Sequence, residues 1–96
     1  MRETAHLLEA DVEITSADVY IQYHIGPGYA IPSPAETAAV ERLARAEGIL
    51  ADPVYTGKAL AGLFELLEQG WFGDDENILF VHTGGAGALF AVDLPR

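Results

Sequence analysis

The feature that most constrains the fold is an apolar run, Ile-Leu-Phe-Val at residues 78–81, that leads directly into His-Thr-Gly-Gly at residues 82–85. Both faces of such a run are apolar, and strands of this kind lie in the middle of parallel sheets that are covered on both sides. A flexible loop at the carboxyl end of a parallel strand is where open α/β folds bind ligands. The run therefore predicts an α/β protein whose ligand-binding loop lies at residues 82–85.

Capping signals predict a first long helix. Ser33 can cap the helix, Pro34 suits its first position, and Glu36 completes a capping box with Ser33. Ala39, Val40, Leu43 and Ala44 form one apolar stripe. Gly48 is suited to end the helix because glycine adopts the left-handed conformation of a helix C-terminus without strain.

A second helix is predicted to begin near Thr56 and to end at Gly70. Its apolar residues follow the i, i+3, i+4, i+7 pattern of a helix with one buried face: Leu60, Leu63, Phe64 and Leu67. Trp71 and Phe72 are expected to fold back onto the last turn. Two further segments have weaker patterns: residues 4–10 predict a short helix, and the alternation over residues 19–25 predicts a half-buried strand that ends at a Gly-Pro-Gly turn.

These elements predict one unit over residues 1–96, with an α/β fold made of a partial parallel sheet and flanking helices. Only residues 78–81 have the pattern of a central strand, and a central strand needs a neighbour on each edge. The predicted sheet is therefore incomplete. The sequence is interpreted as part of a larger domain.

Charge and composition exclude several classes of function. The chain has 15 acidic against 5 basic residues, so it lacks the basic surface that nucleic acids and anionic membranes require. It has no cysteine, and its three histidines do not show metal-ligand spacing, so no metal site is predicted. The sequence shows neither a signal peptide nor an apolar run long enough to span a bilayer. A cytoplasmic location is expected.

The block Tyr-Thr-Gly-Lys at residues 55–58 lies at a helix start, where free backbone N–H groups can bind a ligand. Taken alone the block is weak evidence, because Thr56 is equally explained as a helix cap. Lys58 is the single lysine and hence the one residue able to form a Schiff base, although a lysine at this position is more often a solvated charge. From these patterns alone the chain is an acidic α/β fragment with a loop suited to a ligand.

Four motifs in fixed order resemble a known family: Gly-Pro-Gly-Tyr-Ala-Ile-Pro at residues 26–32, Ala-Glu-Gly-Ile-Leu-Ala-Asp-Pro-Val-Tyr-Thr-Gly-Lys at 46–58, the stretch at 78–85, and Ala-Leu-Phe at 88–90. The chain resembles the carboxyl-terminal third of the D-cysteine desulfhydrase and 1-aminocyclopropane-1-carboxylate deaminase family. Those enzymes depend on pyridoxal 5′-phosphate and share the fold of the tryptophan synthase β chain. The resemblance implies that this chain is a fragment of the large domain of that fold.

The resemblance also implies site residues. Tyr29 and Tyr55 correspond to two catalytic tyrosines beside the substrate and the cofactor ring. Thr56 corresponds to the residue that contacts the pyridine nitrogen, and Thr83 and Gly84 to cofactor-binding residues. The deaminase branch has Glu and Leu where this chain has Thr56 and Thr83. A hydroxyl gives a weaker electron sink than a carboxylate, so the implied reaction is α,β-elimination from D-cysteine to pyruvate, ammonia and sulfide.

Some family features are not matched. The Schiff-base lysine and the phosphate loop of the family lie upstream of the matched region, Lys58 corresponds to a different lysine, and Gly87 stands where the family commonly has proline. The chain is therefore expected to be inactive alone, and to act on a small amino acid when completed by an amino-terminal part. A second hypothesis is a truncated, non-catalytic module that self-associates into a homo-oligomer through its unpaired strand. Deaminase or cysteate sulfo-lyase activity within the same family is a further alternative.

Overall fold

The computed structural model describes residues 1–91, and its regular elements are helical. The α-helices are α1 (Arg2–Leu7), α2 (Pro34–Glu47) and α3 (Thr56–Glu68), and two short 3-10 helices span Ser16–Asp18 and Ala86–Phe90. Helices α2 and α3 pack against each other and hold most of the core. The remaining described segments are turns and extended chain.

Helix α2 has the boundaries that its sequence predicts. The Ser33 side chain and the Glu36 carboxylate form the capping box, and Pro34 occupies the first helical position. Gly48 ends the helix in the left-handed conformation with φ of 67°, and its N–H donates to Ala44 O over 3.0 Å. The local signals alone define this helix because each of them satisfies backbone groups at its own terminus.

Helix α3 begins at Thr56, as predicted, and is closed by Gly70. Gly70 has φ of 68°, and its N–H donates to Leu67 O while Trp71 N–H donates to Leu66 O, which is the Schellman arrangement. The main chain thus folds back as expected. The Trp71 ring packs edge-on against the Tyr20 ring at 5.3 Å between centroids.

The contact between α2 and α3 is close because small residues line it. A Cβ atom on Gly57 would lie 2.8 Å from Val40 Cγ2 and 2.5 Å from Asp52 O, so a larger residue does not fit there. The Arg42 guanidinium covers the Phe64 ring at 4.6 Å from its centroid. The buried apolar residues of this contact are Ala39, Val40 and Leu60.

Residues 19–25, predicted as a strand, are extended but are not paired in a sheet. The segment crosses α3 instead. The His24 ring packs directly against Gly62, since a Cβ atom added to Gly62 would lie 2.6 Å from His24 Cδ2. His24 Nδ1 lies 3.2 Å from Glu65 Oε2. Side-chain contacts with a helix, rather than strand pairing, therefore hold this segment.

The predicted central strand at residues 78–81 is also absent from the described structure. These residues are extended, but no backbone hydrogen bond joins them to another segment within residues 1–91. Leu79 is 87% exposed and Val81 68% exposed. The segment has the extended backbone of a strand, but a strand needs neighbouring strands, and the described residues supply none. The predicted parallel sheet, and the packing of α2 and α3 onto it, are thus not part of this structure.

The helices are short. Helix α1 covers Arg2–Leu7 rather than the predicted 4–10, and the chain leaves helical geometry at Glu9, where φ is 52°. The longest helix, α2, has 14 residues, and within residues 1–91 no helix is both long enough and apolar enough to cross a membrane.

Candidate functional site

The turn before α3 is organised by the carboxylate of Asp52, which is fully buried. Oδ2 accepts from Val54 N–H at 2.8 Å and from Tyr55 N–H at 2.7 Å, while Oδ1 accepts from Thr56 N–H at 2.9 Å and from the Thr56 hydroxyl at 2.5 Å. Burial raises the pKa of Asp52, but these hydrogen bonds outweigh it and hold the pKa below its usual value. Asp52 is therefore an ionised carboxylate. It lies four residues before the first residue of α3 and accepts the N–H of that residue, Thr56.

Two tyrosines meet beside this turn. The Tyr29 and Tyr55 hydroxyl oxygens are 2.7 Å apart, and the rings are inclined by 61° with 6.0 Å between centroids. Both side chains are exposed. The hydrogen bond with Tyr29 raises the pKa of Tyr55, so Tyr55 stays protonated at neutral pH. One hydroxyl donates to the other, which leaves a single free O–H for an external acceptor.

Lys58 holds the turn that carries Tyr29 against α3. Its Nζ donates to three backbone carbonyl oxygens, of Ile25 at 2.5 Å, Gly28 at 3.0 Å and Ile31 at 3.0 Å. It also lies 3.7 Å from Glu36 Oε1, and both side chains are more than nine-tenths buried. An ammonium group has three protons, so all of its donors are used. The expectation of a solvated surface charge is wrong, and a nucleophilic role is incompatible with these contacts.

The loop at residues 82–85 lies against the same turn. His82 Nε2 is 2.7 Å from Leu50 O, and Gly84 N–H donates to His82 Nδ1 over 3.1 Å. A Cβ on Gly85 would lie 2.8 Å from Asp52 Oδ1, and Gly85 has φ of 89°, so only glycine fits this approach. A Cβ on Gly84 would meet open space.

A groove of about 630 Å³ opens between the segment at residues 20–25 and α3. Both tyrosines face it at one end, and its walls are mostly apolar. Such a groove, apolar with a few polar groups at one end, is typical of a small-molecule site. Its lining includes Ile25, Tyr29, Val54, Tyr55, Leu63 and Leu66.

The structure brings together some of the residues predicted for the site. Tyr29 and Tyr55 are in direct contact, Thr56 follows Tyr55 in sequence and donates its hydroxyl to Asp52, and Gly85, which follows Gly84, lies against the Asp52 carboxylate. Thr56 is 2% exposed, whereas both tyrosines are open to solvent. Their roles toward a ligand remain predictions.

Sequence reasoning missed two residues of this region, Asp52 and Lys58. For Asp52 a signal was present, since an aspartate that precedes proline and lies four residues before a threonine favours a capped turn. For Lys58 there was none, because its carbonyl partners are 27 to 33 residues away. Within residues 1–91, no group of three or more His, Asp or Glu side chains could hold a metal ion.

The chain is similar to known proteins over most of its length. Residues 2–84 match a family model described as pyridoxal-phosphate dependent enzyme. The chain is 53% identical over 77 residues to D-cysteine desulfhydrases of Salmonella typhi, Salmonella newport (strain SL254) and Salmonella enteritidis PT4 (strain P125109). The match covers 79% of this chain and 24% of each relative, so the chain spans about a quarter of the length of the curated relatives it matches.

Proposed function

The chain belongs to the pyridoxal-phosphate-dependent enzyme family, and from that premise we propose that it forms the tyrosine-bearing wall of the active site of a lyase acting on D-cysteine. The observation that carries the proposal is the contact between Tyr29 and Tyr55 across 26 residues of sequence, at the mouth of the groove. The extended segments at 19–25 and 78–81 are proposed to pair into the family's sheet when the rest of the enzyme is present.

The residues present suit one edge of the cofactor. The exposed phenol pair and the open space at Gly84 leave room for a flat ring, and Thr56, which follows Tyr55, has a hydroxyl of the kind suited to a ring nitrogen. Contact with Thr56 requires movement of the atoms that cover it, since the residue is buried. Lys58 is not proposed as the covalent attachment point because its three protons are already donated to carbonyl groups.

When bound, pyridoxal phosphate supplies an electron sink that stabilises the negative charge left on the α-carbon of an amino acid. Tyr29 and Tyr55 are proposed to orient the substrate carboxylate through the one O–H that their mutual hydrogen bond leaves free. The raised pKa of Tyr55 keeps the Tyr55 hydroxyl protonated at neutral pH. The overall reaction consumes one water and converts D-cysteine to pyruvate, ammonia and sulfide.

A complementation assay tests this proposal. The matched segment of Salmonella typhi D-cysteine desulfhydrase is replaced by this chain, and pyruvate formation from D-cysteine is followed. We expect activity in the chimera and a loss of at least about tenfold in Tyr55→Phe. Little change is expected in the control Tyr23→Phe, since Tyr23 does not line the groove that Tyr29 and Tyr55 face. Equal rates for the two variants would contradict the role of the tyrosine pair.

Within the family we propose elimination rather than deamination of 1-aminocyclopropane-1-carboxylate, on the ground that Thr56 offers a neutral hydroxyl and not a carboxylate. In the chimera, Thr56→Glu is expected to favour deaminase-like chemistry. An unchanged ratio of the two activities would show that position 56 does not decide the reaction.

A second candidate, self-association, rests on the exposure of Leu79 and Val81 in an unpaired extended segment. Extended apolar chain with free backbone groups can pair with another copy. Sedimentation at increasing concentration tests it: a concentration-dependent dimer supports the proposal, and a monomer throughout would contradict it.

A further inference from the structure

The His82 ring joins the loop at residues 82–85 to the turn before α3. Its Nε2 lies 2.7 Å from the carbonyl oxygen of Leu50, which is 32 residues away in the sequence. Its Nδ1 lies 3.1 Å from the backbone nitrogen of Gly84 in the same loop. Both ring nitrogens are therefore engaged, each with a backbone group. The proposed function uses neither contact.

The two partners fix the position of the proton on the His82 ring. A carbonyl oxygen can only accept a hydrogen bond, so Nε2 carries a proton and donates it to Leu50. A backbone N–H can only donate, so Nδ1 is unprotonated and accepts from Gly84. The ring in this structure is thus a neutral imidazole with its proton on Nε2. The opposite tautomer would place two donors face to face at Gly84 and two acceptors face to face at Leu50.

A second proton on the His82 ring would change the two contacts in opposite ways. The imidazolium form carries an N–H at both nitrogens. Its Nδ1–H would face the Gly84 N–H, so that hydrogen bond is lost, whereas the charged ring donates more strongly to the Leu50 carbonyl oxygen. Gly84 is exposed with φ of 101°, and a Cβ there would meet no atom within 4 Å, so packing does not hold it in place.

We infer that His82 is a proton-controlled contact: the neutral ring holds Gly84 in place, and protonation of the ring releases Gly84 while the ring stays on Leu50. His82 is exposed, so protons reach it from solvent. A ligand that touches the loop at residues 82–85 would meet a fixed loop in the neutral state and a mobile loop in the protonated state. These contacts lie within the chain, so their response to protons does not depend on the proposed lyase function.

Few other ionisable groups surround His82. Its own segment, residues 78–91, contains no other acidic or basic side chain, and the ion pairs within residues 1–91 do not include His82. The turn before α3 contributes Asp52, whose carboxylate faces the same loop, and Tyr55. The pKa of Asp52 is lowered and that of Tyr55 is raised by their hydrogen bonds, so neither changes charge between pH 5 and 8, where histidines ordinarily do. Lys58 of α3 donates to the carbonyl groups of residues 25–31 instead.

Nuclear magnetic resonance of the nitrogen-15-labelled chain tests this inference without any cofactor. The shifts of the ring nitrogens across a pH titration report which nitrogen carries the proton. We expect the tautomer protonated at Nε2 when His82 is neutral, and a Gly84 amide signal that moves with the same midpoint as the His82 ring. Exchange of the Gly84 amide proton, corrected for its intrinsic pH dependence, should become about fivefold faster when the ring is protonated. The opposite tautomer, or a Gly84 signal that does not follow the ring, would overturn the inference.

Two variants separate the two contacts of His82. The amide oxygen of asparagine can take the place of Nδ1 and does not titrate, so His82→Asn should keep slow exchange at Gly84 at every pH. The amide of glutamine reaches the place of Nε2 but offers no acceptor to Gly84, so His82→Gln should exchange about fivefold faster at every pH. The control His6→Asn, on α1, should leave the Gly84 titration unchanged. A Gly84 titration that persists in both His82 variants, or disappears in His6→Asn, would show that another group controls this loop.

Discussion

Lys58 joins the turn at residues 25–31 to the helical pair, and replacing it with methionine shows what this contact contributes. Methionine keeps the length of the side chain and removes the charge and three donors. Hydrogen bonds to a charged group contribute about 1.5–3 kcal/mol each, but the carbonyls of the half-exposed Ile25 and Ile31 regain water when released. We therefore expect Lys58→Met to lower the free energy of unfolding by about 3–5 kcal/mol, which is less than three such hydrogen bonds would sum to.

The structure also predicts how the loss of stability in Lys58→Met divides between the ion pair with Glu36 and the hydrogen bonds to the carbonyl groups. Burial raises the pKa of Glu36, and the hydrogen bonds from Ser33 lower it more than the charge of Lys58 does. Lys58 Nζ lies 3.7 Å from Glu36 Oε1 but within hydrogen-bond distance of three carbonyl oxygens, so we expect the ion pair to be the smaller part of the Lys58 contribution. The double variant Lys58→Met/Glu36→Gln should then recover only a minor fraction of the lost stability. A recovery of most of it would refute the assignment to the carbonyl contacts.

Urea unfolding followed by helical circular dichroism and by Trp71 fluorescence measures these differences. The matched control is Arg45→Met, which removes a side chain that is 83% exposed and pairs with Glu41 at 3.5 Å within α2. Exposed pairs of this kind contribute about 0.3–0.5 kcal/mol. If Lys58→Met costs no more than Arg45→Met, the buried ammonium does not hold this fold together.

Three further predictions each test one contact. Gly57→Ala should destabilise the fold by about 1–3 kcal/mol in urea unfolding because the added Cβ meets Asp52 O. The control Gly87→Ala adds a Cβ that meets nothing within 4 Å, so it should change the free energy of unfolding by less than about 1 kcal/mol, and equal effects of the two variants would contradict the close packing at Gly57. The pKa of Asp52 is lowered in the folded chain, so the Asp52 contribution to stability is complete above the unfolded-state pKa and is lost as the pH falls through the folded-state pKa. Asp52→Asn should therefore make the free energy of unfolding fall less steeply with decreasing pH. The same steepness in Asp52→Asn and wild type would contradict this role of Asp52. Tyr29→Phe should lower the pKa of Tyr55 toward its usual value, measured by phenolate absorbance, and an unmoved Tyr55 would mean that the two hydroxyls do not meet in solution.

Sequence reasoning succeeded where the information is local. The capping box of Ser33 and Glu36, the stop at Gly48 and the Schellman closure at Gly70 are all set by residues within a turn of one another. The family resemblance implied only that Tyr29 and Tyr55 lie beside one substrate, and no local pattern predicts the contact between these residues, which are 26 positions apart.

The failures have one physical origin, which is dependence on distant chain. Residues 78–81 have the composition of a central strand, but strand formation depends on neighbouring strands that the described residues do not supply. Lys58 looks like an ordinary surface lysine until the turn at residues 25–31 folds over it. In both cases the structure that the residues adopt depends on segments far away in the sequence, which a local pattern does not reveal.

The lysine contacts have a consequence for how this region can vary. All three hydrogen-bond acceptors of Lys58 are main-chain carbonyl groups, which every amino acid possesses. Substitutions at residues 25 and 31 can therefore accumulate without removing an acceptor, whereas inserting or deleting one residue between them would displace at least one carbonyl from the ammonium. We therefore expect this turn to tolerate changes in its side chains but not in its length, and the fixed length holds Tyr29 in position.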